Sequence, residues 1–271
     1  MKTTKDKTTE KESVTNVATA TSATHSVVTT HPISGDHMLY VLGAGAAQGG
    51  VGKTTIMVEI ANWLKNQGKI TTKIDLDESV KKRGSFQSFF PDVIKAPLSD
   101  NVGLNTLLQA VGWEPRIVLV DSAASTTAQT IDWFDQVYPV LNRRGHRFLV
   151  VGVVTPDETT VDAFLAYGEV LQYRANYLVV QNETIYKAPS AWPKHPKTAR
   201  FTELFNPGLI TMPYRDSELQ RLLRQHSLTL EQVAHGTHEV EVLHDSMYQI
   251  LAEILLEQIT TQLNSVKKLF L

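Results

Sequence analysis

Six short and almost continuously apolar segments are separated by longer segments of helical periodicity, and this alternation restricts the fold more than any other feature. The apolar segments are 38–44, 69–75, 116–120, 147–154, 177–180 and 209–212. Strands that are apolar at successive positions are covered on both faces, as in parallel sheets between two layers of helices. We therefore predict an α/β fold in which a doubly wound, mostly parallel sheet is flanked by helices.

The segments between these strands predict helices. A helix over 53–67 is favoured by apolar residues at helical spacing and by Gly68, a suitable C-cap. Further helices are predicted over 101–110, 125–142, 156–171 and 217–224. The region 183–208 contains four prolines and is predicted to be an irregular excursion over the surface.

The last 32 residues, 240–271, predict one long helix with two apolar stripes. The first stripe is Met247, Ile250, Leu251, Ile254 and Leu255, and we expect it to pack on the domain. The second stripe is Ile259, Leu263, Val266 and Phe270. It is rotated by about a third of a turn in a regular helix, so the second half can face a different surface.

The first 35 residues are rich in Thr, Ser, Lys and Glu and lack any apolar periodicity. Such a segment cannot bury enough surface to offset chain entropy, so we expect a disordered tail over 1–35 and a globular domain over 36–271. A secretory signal needs a continuous apolar run after its basic start, and a membrane-spanning helix needs an apolar run of roughly 18 residues. The sequence contains neither run. We therefore expect a cytoplasmic protein.

The composition excludes several kinds of site. There are no cysteines, which excludes disulfides, thiolate zinc sites, iron–sulfur clusters and cysteine nucleophiles. The formal net charge of -2 gives no overall attraction to DNA or anionic lipid. Contact with DNA or a membrane is therefore weakly supported and would depend on a local patch. The candidates are the basic set Arg215, Arg221 and Arg224 for DNA and the segment 266–271 for lipid, although a solvated helix face and a docked helix are the commoner arrangements.

A glycine-rich segment follows the first predicted strand and leads directly into a helix, which is the context of a phosphate-binding loop. The segment is Gln48, Gly49, Gly50, Val51, Gly52, Lys53, Thr54 and Thr55. Its glycines allow successive backbone N–H groups to point at phosphate oxygens, and the helix N-terminus adds its dipole. Lys53 is expected to bridge the β- and γ-phosphates, Thr54 to give its hydroxyl to Mg²⁺, and Thr55 to reach the α-phosphate. The alternative is a glycine-rich turn that binds nothing.

The run from Gly49 to Thr55 resembles the deviant Walker A motif of the ParA/MinD superfamily of ATPases. The resemblance extends over about 38–235 and implies ATP and Mg²⁺ as ligands, and a homodimer that sandwiches the nucleotide. In that superfamily a lysine precedes the two glycines and reaches the partner's phosphates, whereas this chain has Gln48 there and Ala47 in place of the first glycine. The departure puts dimer-coupled hydrolysis in doubt and leaves phosphate binding by Lys53 unaffected.

Carboxylates follow two of the predicted strands in the order that the resemblance requires. Asp75-Leu76-Asp77 is similar to the superfamily's Asp-x-Asp switch, in which the second carboxylate positions or activates the attacking water, so Asp77 joins Lys53 as a catalytic candidate. Asp121 ends an apolar strand in the manner of a Walker B carboxylate. The metal-site candidates are therefore Thr54, Asp75 and Asp121. The alternative for the first pair is solvated loop carboxylates. The loop 122–127 after Asp121 resembles a second switch, and its hydroxyls can equally cap the next helix.

Two later positions resemble the superfamily's adenine site. Asn182 ends a predicted strand, and its amide can both donate to and accept from an adenine edge. Pro213 lies in a loop similar to the one that flanks the base. Both can also belong to ordinary turns at strand ends.

The resemblance implies a nucleotide-dependent switch. The stretches 120–126, 154–155 and 181–183 are most similar to plasmid TraL/StbB-type proteins, which act in conjugative transfer and plasmid stability. This predicts a weak ATPase that recruits a plasmid-transfer or partition partner. Two alternatives are a scaffold that binds ATP with little or no hydrolysis, and a metabolic phosphotransferase or ligase with a similar loop.

Overall fold

The computed structural model describes residues 38–44, 49–77, 83–96, 102–109, 117–122, 127–184 and 188–271, and strands from these ranges form one parallel sheet. The strands are β1 (Leu39–Ala44), β2 (Thr71–Asp75), β3 (Ile94–Lys95), β4 (Ile117–Asp121), β5 (Arg147–Val154), β6 (Asn176–Asn182) and β7 (Gly208–Met212). Their order across the sheet is β3-β2-β4-β1-β5-β6-β7, and every neighbouring pair is parallel. The predicted doubly wound, parallel α/β fold is confirmed.

The helices lie in the connections between these strands, except for the last three, which follow β7. They are α1 (Lys53–Asn66), α2 (Phe86–Phe89), α3 (Val102–Gln109), α4 (Thr127–Arg143), α5 (Glu158–Leu171), α6 (Thr198–Phe205), α7 (Ser217–His226), α8 (Leu230–Ala234) and α9 (Ser246–Ser265). Residues of α1, α2, α7, α8 and α9 share one apolar core, and residues of α3, α4, α5 and α6 share the other.

The central strand β1 shows why successive strand positions are apolar. Leu39 and Val41 belong to the core on the α1 side, whereas Tyr40 and Leu42 belong to the core on the α5 side. Because both faces are covered, every one of these side chains is removed from water, which stabilises the fold by about 1.5–3 kcal/mol for each large aliphatic side chain. The carboxyl ends of all the strands meet at one edge, and the chain leaves β1 there for the glycine-rich segment.

Four elements were not predicted from the sequence, namely strand β3 and helices α2, α6 and α8. Strand β3 has only two residues, Ile94 and Lys95, and so has no pattern to detect. Helix α6 lies inside the region that was predicted to be irregular, and that prediction was wrong for 198–205. The helix forms because Phe201 is buried against the rings of Phe164, Tyr177 and Trp192, so tertiary packing outweighs the effect of the nearby prolines.

The C-terminal region also departs from the prediction. Helix α9 covers 246–265 and is flanked by 3-10 turns at Glu241–His244 and Lys267–Leu269. The expectation that the first stripe packs on the domain was wrong for three of its residues, because Met247, Ile250 and Ile254 are 52%, 54% and 47% exposed. The second stripe, Ile259, Leu263, Val266 and Phe270, is buried instead.

The second half of α9 is held by contacts with α1. The rings of Phe270 and Trp63 make an edge-type contact at a centroid distance of 5.3 Å, and Trp63 Nε1 donates a hydrogen bond to Asn264 Oδ1 at 3.0 Å.

The predicted tail over 1–35 lies outside the described residues, so it stays a prediction. Within the described ranges, no helix is both long and apolar enough to cross a membrane.

Candidate functional site

The turn between β1 and α1 has the backbone that a phosphate cradle needs. Gly50 and Gly52 have φ values of 83° and 104°, in the left-handed region that glycine adopts without strain, and α1 begins at Lys53. A Cβ atom on Gly52 would lie 2.5 Å from Asn182 Nδ2, so the loop also approaches β6 too closely for any side chain. Gln48 and the three residues before it lie outside the described residues.

The N-terminus of α1 suits an anion. Its first turn contains no acidic residue, and its N-cap residue is Gly52, which has no side chain to cap the N-terminal N–H groups. The N–H groups at a helix N-terminus and the helix dipole together favour negative charge at this end. Lys53 is the first residue of the helix and is only 8% exposed, so its ammonium adds a fixed charge in a region of reduced solvent screening.

A hydrogen bond joins the start of α1 to the end of β4. Thr54 Oγ1 donates to Asp121 Oδ2 at 2.7 Å, whereas Asp121 Oδ1 is buried and has no hydrogen-bond partner among the described residues. Burial raises the pKa of Asp121 to about 7. The charges of Asp75 and Asp77 also raise this pKa, while the Thr54 hydrogen bond and Lys53 oppose the increase. A buried carboxylate with a free oxygen is suited to an additional cation.

Asp75 lies beside Asp121 on the neighbouring strand β2. The two residues are paired in register, and Leu76 N donates a hydrogen bond to the Asp121 carbonyl oxygen at 2.9 Å. The Asp75 side chain is fully buried. Its Oδ1 accepts a hydrogen bond from Asp77 N at 2.9 Å, and its Oδ2 lies 3.2 Å from Lys95 Nζ. The sequence motif therefore forms a compact acidic cluster, which Lys95 partly neutralises.

The oxygens at this edge fit magnesium better than a transition metal. Hydroxyl and carboxylate oxygens are hard ligands, and Mg²⁺ normally keeps several waters and binds through one or two protein groups together with phosphates. Within the described ranges, no three His, Cys, Asp or Glu side chains are grouped so that they alone could hold a metal ion. Thr54 and Asp121 are therefore the residues that would hold Mg²⁺, with Asp75 beside them.

The two predicted adenine-site residues lie on adjacent strand ends. Asn182 is paired with Met212 across β6 and β7, and Pro213 follows directly. The Asn182 side chain is 4% exposed; its Nδ2 donates to the Val51 carbonyl oxygen at 2.6 Å, and its Oδ1 accepts from Thr184 N at 2.9 Å. Contact with an adenine edge would use the second Nδ2 hydrogen and the second Oδ1 lone pair.

Three residues near the site were not singled out correctly from the sequence. Lys95 stands on a strand too short to detect, and Glu59 is a charged residue on an otherwise apolar face of α1. Arg215 was grouped with a basic surface set, but it is 3% exposed and its Nη2 donates to Glu59 Oε1 at 2.9 Å. The structure therefore removes Arg215 from any DNA-contacting patch. Arg221 in the same set already binds Glu218 and Gln225.

The segment after Asp121 is described only at its start. Ser122 is buried, and its Oγ donates a hydrogen bond to the Gly43 carbonyl oxygen at the end of β1. This bond fixes the exit of β4 against the strand that leads into the phosphate cradle. Residues 123–126, which were considered as a second switch, lie outside the described residues.

Comparison with known protein families and with curated proteins gives no match. Among solved structures, similar ones include MinD in the MinC:MinD cell division complex of Aquifex aeolicus, with 12% identity and a TM-score of 0.48 over 85% of this chain and 96% of that one. Another is a nucleotide-binding protein of Archaeoglobus fulgidus in complex with ADP, with 16% identity and a TM-score of 0.44 over 70% and 86% of the two chains.

A third is a plasmid partition protein of Borrelia burgdorferi bound to AMPPNP, with 11% identity and a TM-score of 0.43 over 83% and 99% of the two chains. Similarity at this level assigns neither a family nor an activity to the chain, so a functional assignment depends on the chain's own residues.

Proposed function

We propose that this chain binds Mg-ATP and acts as a ParA/MinD-like nucleotide-dependent switch. The observation that carries the proposal is the hydrogen bond from Thr54 to Asp121, which brings the first turn of α1 and the end of β4 together around a buried free carboxylate oxygen. A glycine turn alone would not require a buried acid beside it. A phosphate cradle with a divalent cation requires such an acid.

Each residue at this edge has a role in the proposal. The backbone from Gly49 to Gly52 and the Lys53 ammonium bind the phosphates, and Thr55 reaches the α-phosphate. Magnesium, when bound, supplies charge that offsets the β- and γ-phosphoryl oxygens. Asp77 orients the attacking water, and its backbone is held by Asp75 Oδ1. Asn182 and Pro213 contact the base.

The biological setting follows from the order of the motifs along the chain. The glycine segment, the Asp-x-Asp pair, the strand-end Asp121 and the Asn182 turn occur in the ParA/MinD order, and several stretches are most similar to TraL/StbB-type proteins. We therefore infer a role in plasmid transfer, partition or stability, with a homodimer around the nucleotide and a partner protein that recognises one nucleotide state.

The alternatives make different demands on the site. A scaffold that binds ATP with little hydrolysis requires the same cradle and is favoured by Gln48, which lacks a charge. A phosphotransferase or ligase requires a second polar pocket for its substrate. The cleft beside Thr55, which Glu59 and Arg215 help to line, has a cavity volume of only about 20 Å³, which is too small for a second substrate, so the second alternative is the weaker one.

Nucleotide binding by Lys53→Ala tests the proposal. ATP binding should be abolished because the variant loses the buried cation of the cradle. The temperature of thermal unfolding should stay near that of the wild type because no apolar core residue is changed. The matched control is Lys65→Ala in the same helix, where the side chain is 73% exposed. Isothermal titration of ATP with and without Mg²⁺ gives the affinities. If Lys53→Ala keeps its affinity to within a few fold, the phosphate cradle is not a binding site.

A further inference from the structure

A chain of hydrogen bonds, which helix α1 closes into a ring, joins the phosphate loop to the loop on the base side of the site. Asn182 Nδ2 donates to the Val51 carbonyl oxygen at 2.6 Å, and Thr184 N donates to Asn182 Oδ1 at 2.9 Å. Arg215 N then donates to the Thr184 carbonyl oxygen at 2.9 Å, and Arg215 Nη2 donates to Glu59 Oε1 at 2.9 Å. Glu59 belongs to α1, the helix that begins at Lys53. The backbone of α1 therefore connects the last member of the ring to the phosphate loop.

The three side chains that take part in the ring are buried. Glu59, Asn182 and Arg215 are 4%, 4% and 3% exposed. The pKa of Glu59 is raised by burial, and the Arg215 guanidinium opposes this increase without cancelling it. In a region of low dielectric constant a charge-assisted hydrogen bond is stronger and the cost of leaving one partner alone is higher, so the pair tolerates little displacement.

The position of the pair gives it a role beyond stability. Pro213 and Tyr214, here called the base-side loop, are the only residues between the end of β7 and Arg215. Arg215 is bound through its backbone to Thr184, just beyond the end of β6, and through its side chain to α1. The base-side loop is therefore held at one end by the sheet and at the other by the helix whose first turn forms the phosphate cradle.

We propose that Glu59 and Arg215 are positioning residues that fix the base-side loop relative to the phosphate cradle and so set the affinity for the nucleoside part of a nucleotide, without altering the affinity for its phosphates. The inference rests on the proposed function, since it assumes that the cradle and the base-side loop bind the same nucleotide. A merely structural ion pair would affect stability, and would affect both parts of the ligand equally.

The test compares ATP with inorganic tripolyphosphate, which has the same chain of phosphates and no nucleoside. The variant is Glu59→Leu/Arg215→Met, because replacing both members of a buried ion pair by apolar side chains leaves no unpaired charge and often preserves folding. The matched control makes the same changes at an exposed pair in α6, Glu203→Leu/Arg200→Met. Circular dichroism and thermal unfolding establish that each variant is folded at the temperature of the titrations.

The double variant should bind ATP about tenfold or more weakly, the equivalent of one lost charge-assisted hydrogen bond, while its tripolyphosphate affinity stays within about twofold of wild type. The control should match wild type for both ligands, and Arg215→Lys, which keeps a cation near Glu59, should restore part of the ATP affinity. If the double variant does not fold, both affinities are measured on Arg215→Lys alone. Its ATP affinity should then fall relative to its tripolyphosphate affinity.

Equal losses for ATP and tripolyphosphate, or no loss for either in a folded variant, would overturn the positioning role. Failure of the wild type to bind ATP at all would instead contradict the proposed function, so the two failures are distinguishable.

Discussion

Lys95 Nζ lies 3.2 Å from Asp75 Oδ2, across the pairing of β3 with β2. Asp75 is fully buried, and its other neighbour along the sheet edge is Asp121. Without the ammonium, the Asp75 carboxylate would lose this ion pair, while the charge of Lys53 acts on Asp121. Lys95 therefore stabilises the nucleotide-free site, because its ammonium lies directly against Asp75, the most deeply buried of these carboxylates.

Lys95→Met should destabilise the nucleotide-free protein because it leaves the buried Asp75 carboxylate without its cation. The loss should approach the roughly 3 kcal/mol typical of breaking a buried pair, reduced because Lys95 is partly exposed. The double variant Asp75→Asn/Lys95→Met should be much closer to wild type, since Asn keeps the oxygen that accepts from Asp77 N. Urea unfolding of the two single variants and the double variant gives the coupling energy.

Asp92→Asn is the control for this cycle, because it removes a 2.6 Å ion pair with Lys73 in which Asp92 is 63% exposed. Its effect should stay below about 1 kcal/mol. A coupling energy between Asp75 and Lys95 no larger than the effect of Asp92→Asn would show that the ammonium does not compensate Asp75.

Asp121 should make the stability of the nucleotide-free protein depend on pH. Its pKa is raised from 3.8 to about 7, mainly by burial, so the folded protein keeps a proton that the unfolded chain releases. Stability should therefore fall as pH rises between these two values and level off above the higher one. Asp121→Asn keeps an oxygen for the Thr54 hydroxyl and removes the titration. The variant should gain stability over wild type across this window, by a few kcal/mol at most, because each tenfold change in proton affinity is worth about 1.4 kcal/mol.

Urea unfolding of both proteins at a series of pH values, without nucleotide or Mg²⁺, measures this difference. Parallel profiles for the two proteins would mean that the Asp121 carboxyl titrates normally. Magnesium should act in the opposite direction, because it binds the ionised form and should recover stability above neutral pH in the wild type only.

The two apolar stripes of α9 should differ sharply in their contribution to stability. Ile259→Ala removes a side chain that is 2% exposed and should lower the free energy of unfolding by about 2–5 kcal/mol, the usual cost of a large-to-small change in a core. Ile254→Ala changes the same residue type in the same helix at 47% exposure and should cost less than about 0.5 kcal/mol. Chemical denaturation of the two variants measures both effects. Equal losses would mean that the first stripe is also buried, as periodicity alone predicted.

The sequence predicted those features in which one segment carries its own signal. The strands on both sides of the cradle were found because covered strands are apolar at successive positions, and the cradle because its glycines lie between a strand and a helix. The carboxylates at 75 and 121 were grouped as metal-site candidates through the superfamily resemblance, and the parallel pairing of β2 with β4 places them side by side. These relationships are local, or follow from topology.

The features that were missed depend on partners far apart in the chain. Glu59 and Arg215 are 156 positions apart, and each looks like an ordinary surface charge until the fold buries both. The choice between the two stripes of α9 was likewise made by Trp63 and by Gly208 at the start of β7, which Val266 approaches closely, and not by the helix itself. Periodicity identifies an apolar face but does not identify the surface that covers it.

Gln48 is the clearest departure from the superfamily pattern, although it lies outside the described residues. Glutamine can donate a hydrogen bond to a phosphate oxygen but supplies no charge to offset the γ-phosphoryl oxygens in the transition state. A cation supplied by a partner is worth roughly 10³ to 10⁵ in rate in other P-loop enzymes. The wild type should therefore hydrolyse ATP slowly. Gln48→Lys should raise turnover if the chain forms the sandwich dimer, and should change ATP affinity much less because, in the proposed site, Lys53 and the backbone bind the phosphates.

Steady-state phosphate release at several protein concentrations measures this effect, since a contribution from a partner requires the dimer. Gln48→Met is the control, because it keeps the length of the side chain and should leave turnover as slow as in the wild type. Brisk turnover by the wild type that Gln48→Lys leaves unchanged would mean that another residue supplies the charge. The scaffold alternative, which depends on the missing lysine, would then lose its main support.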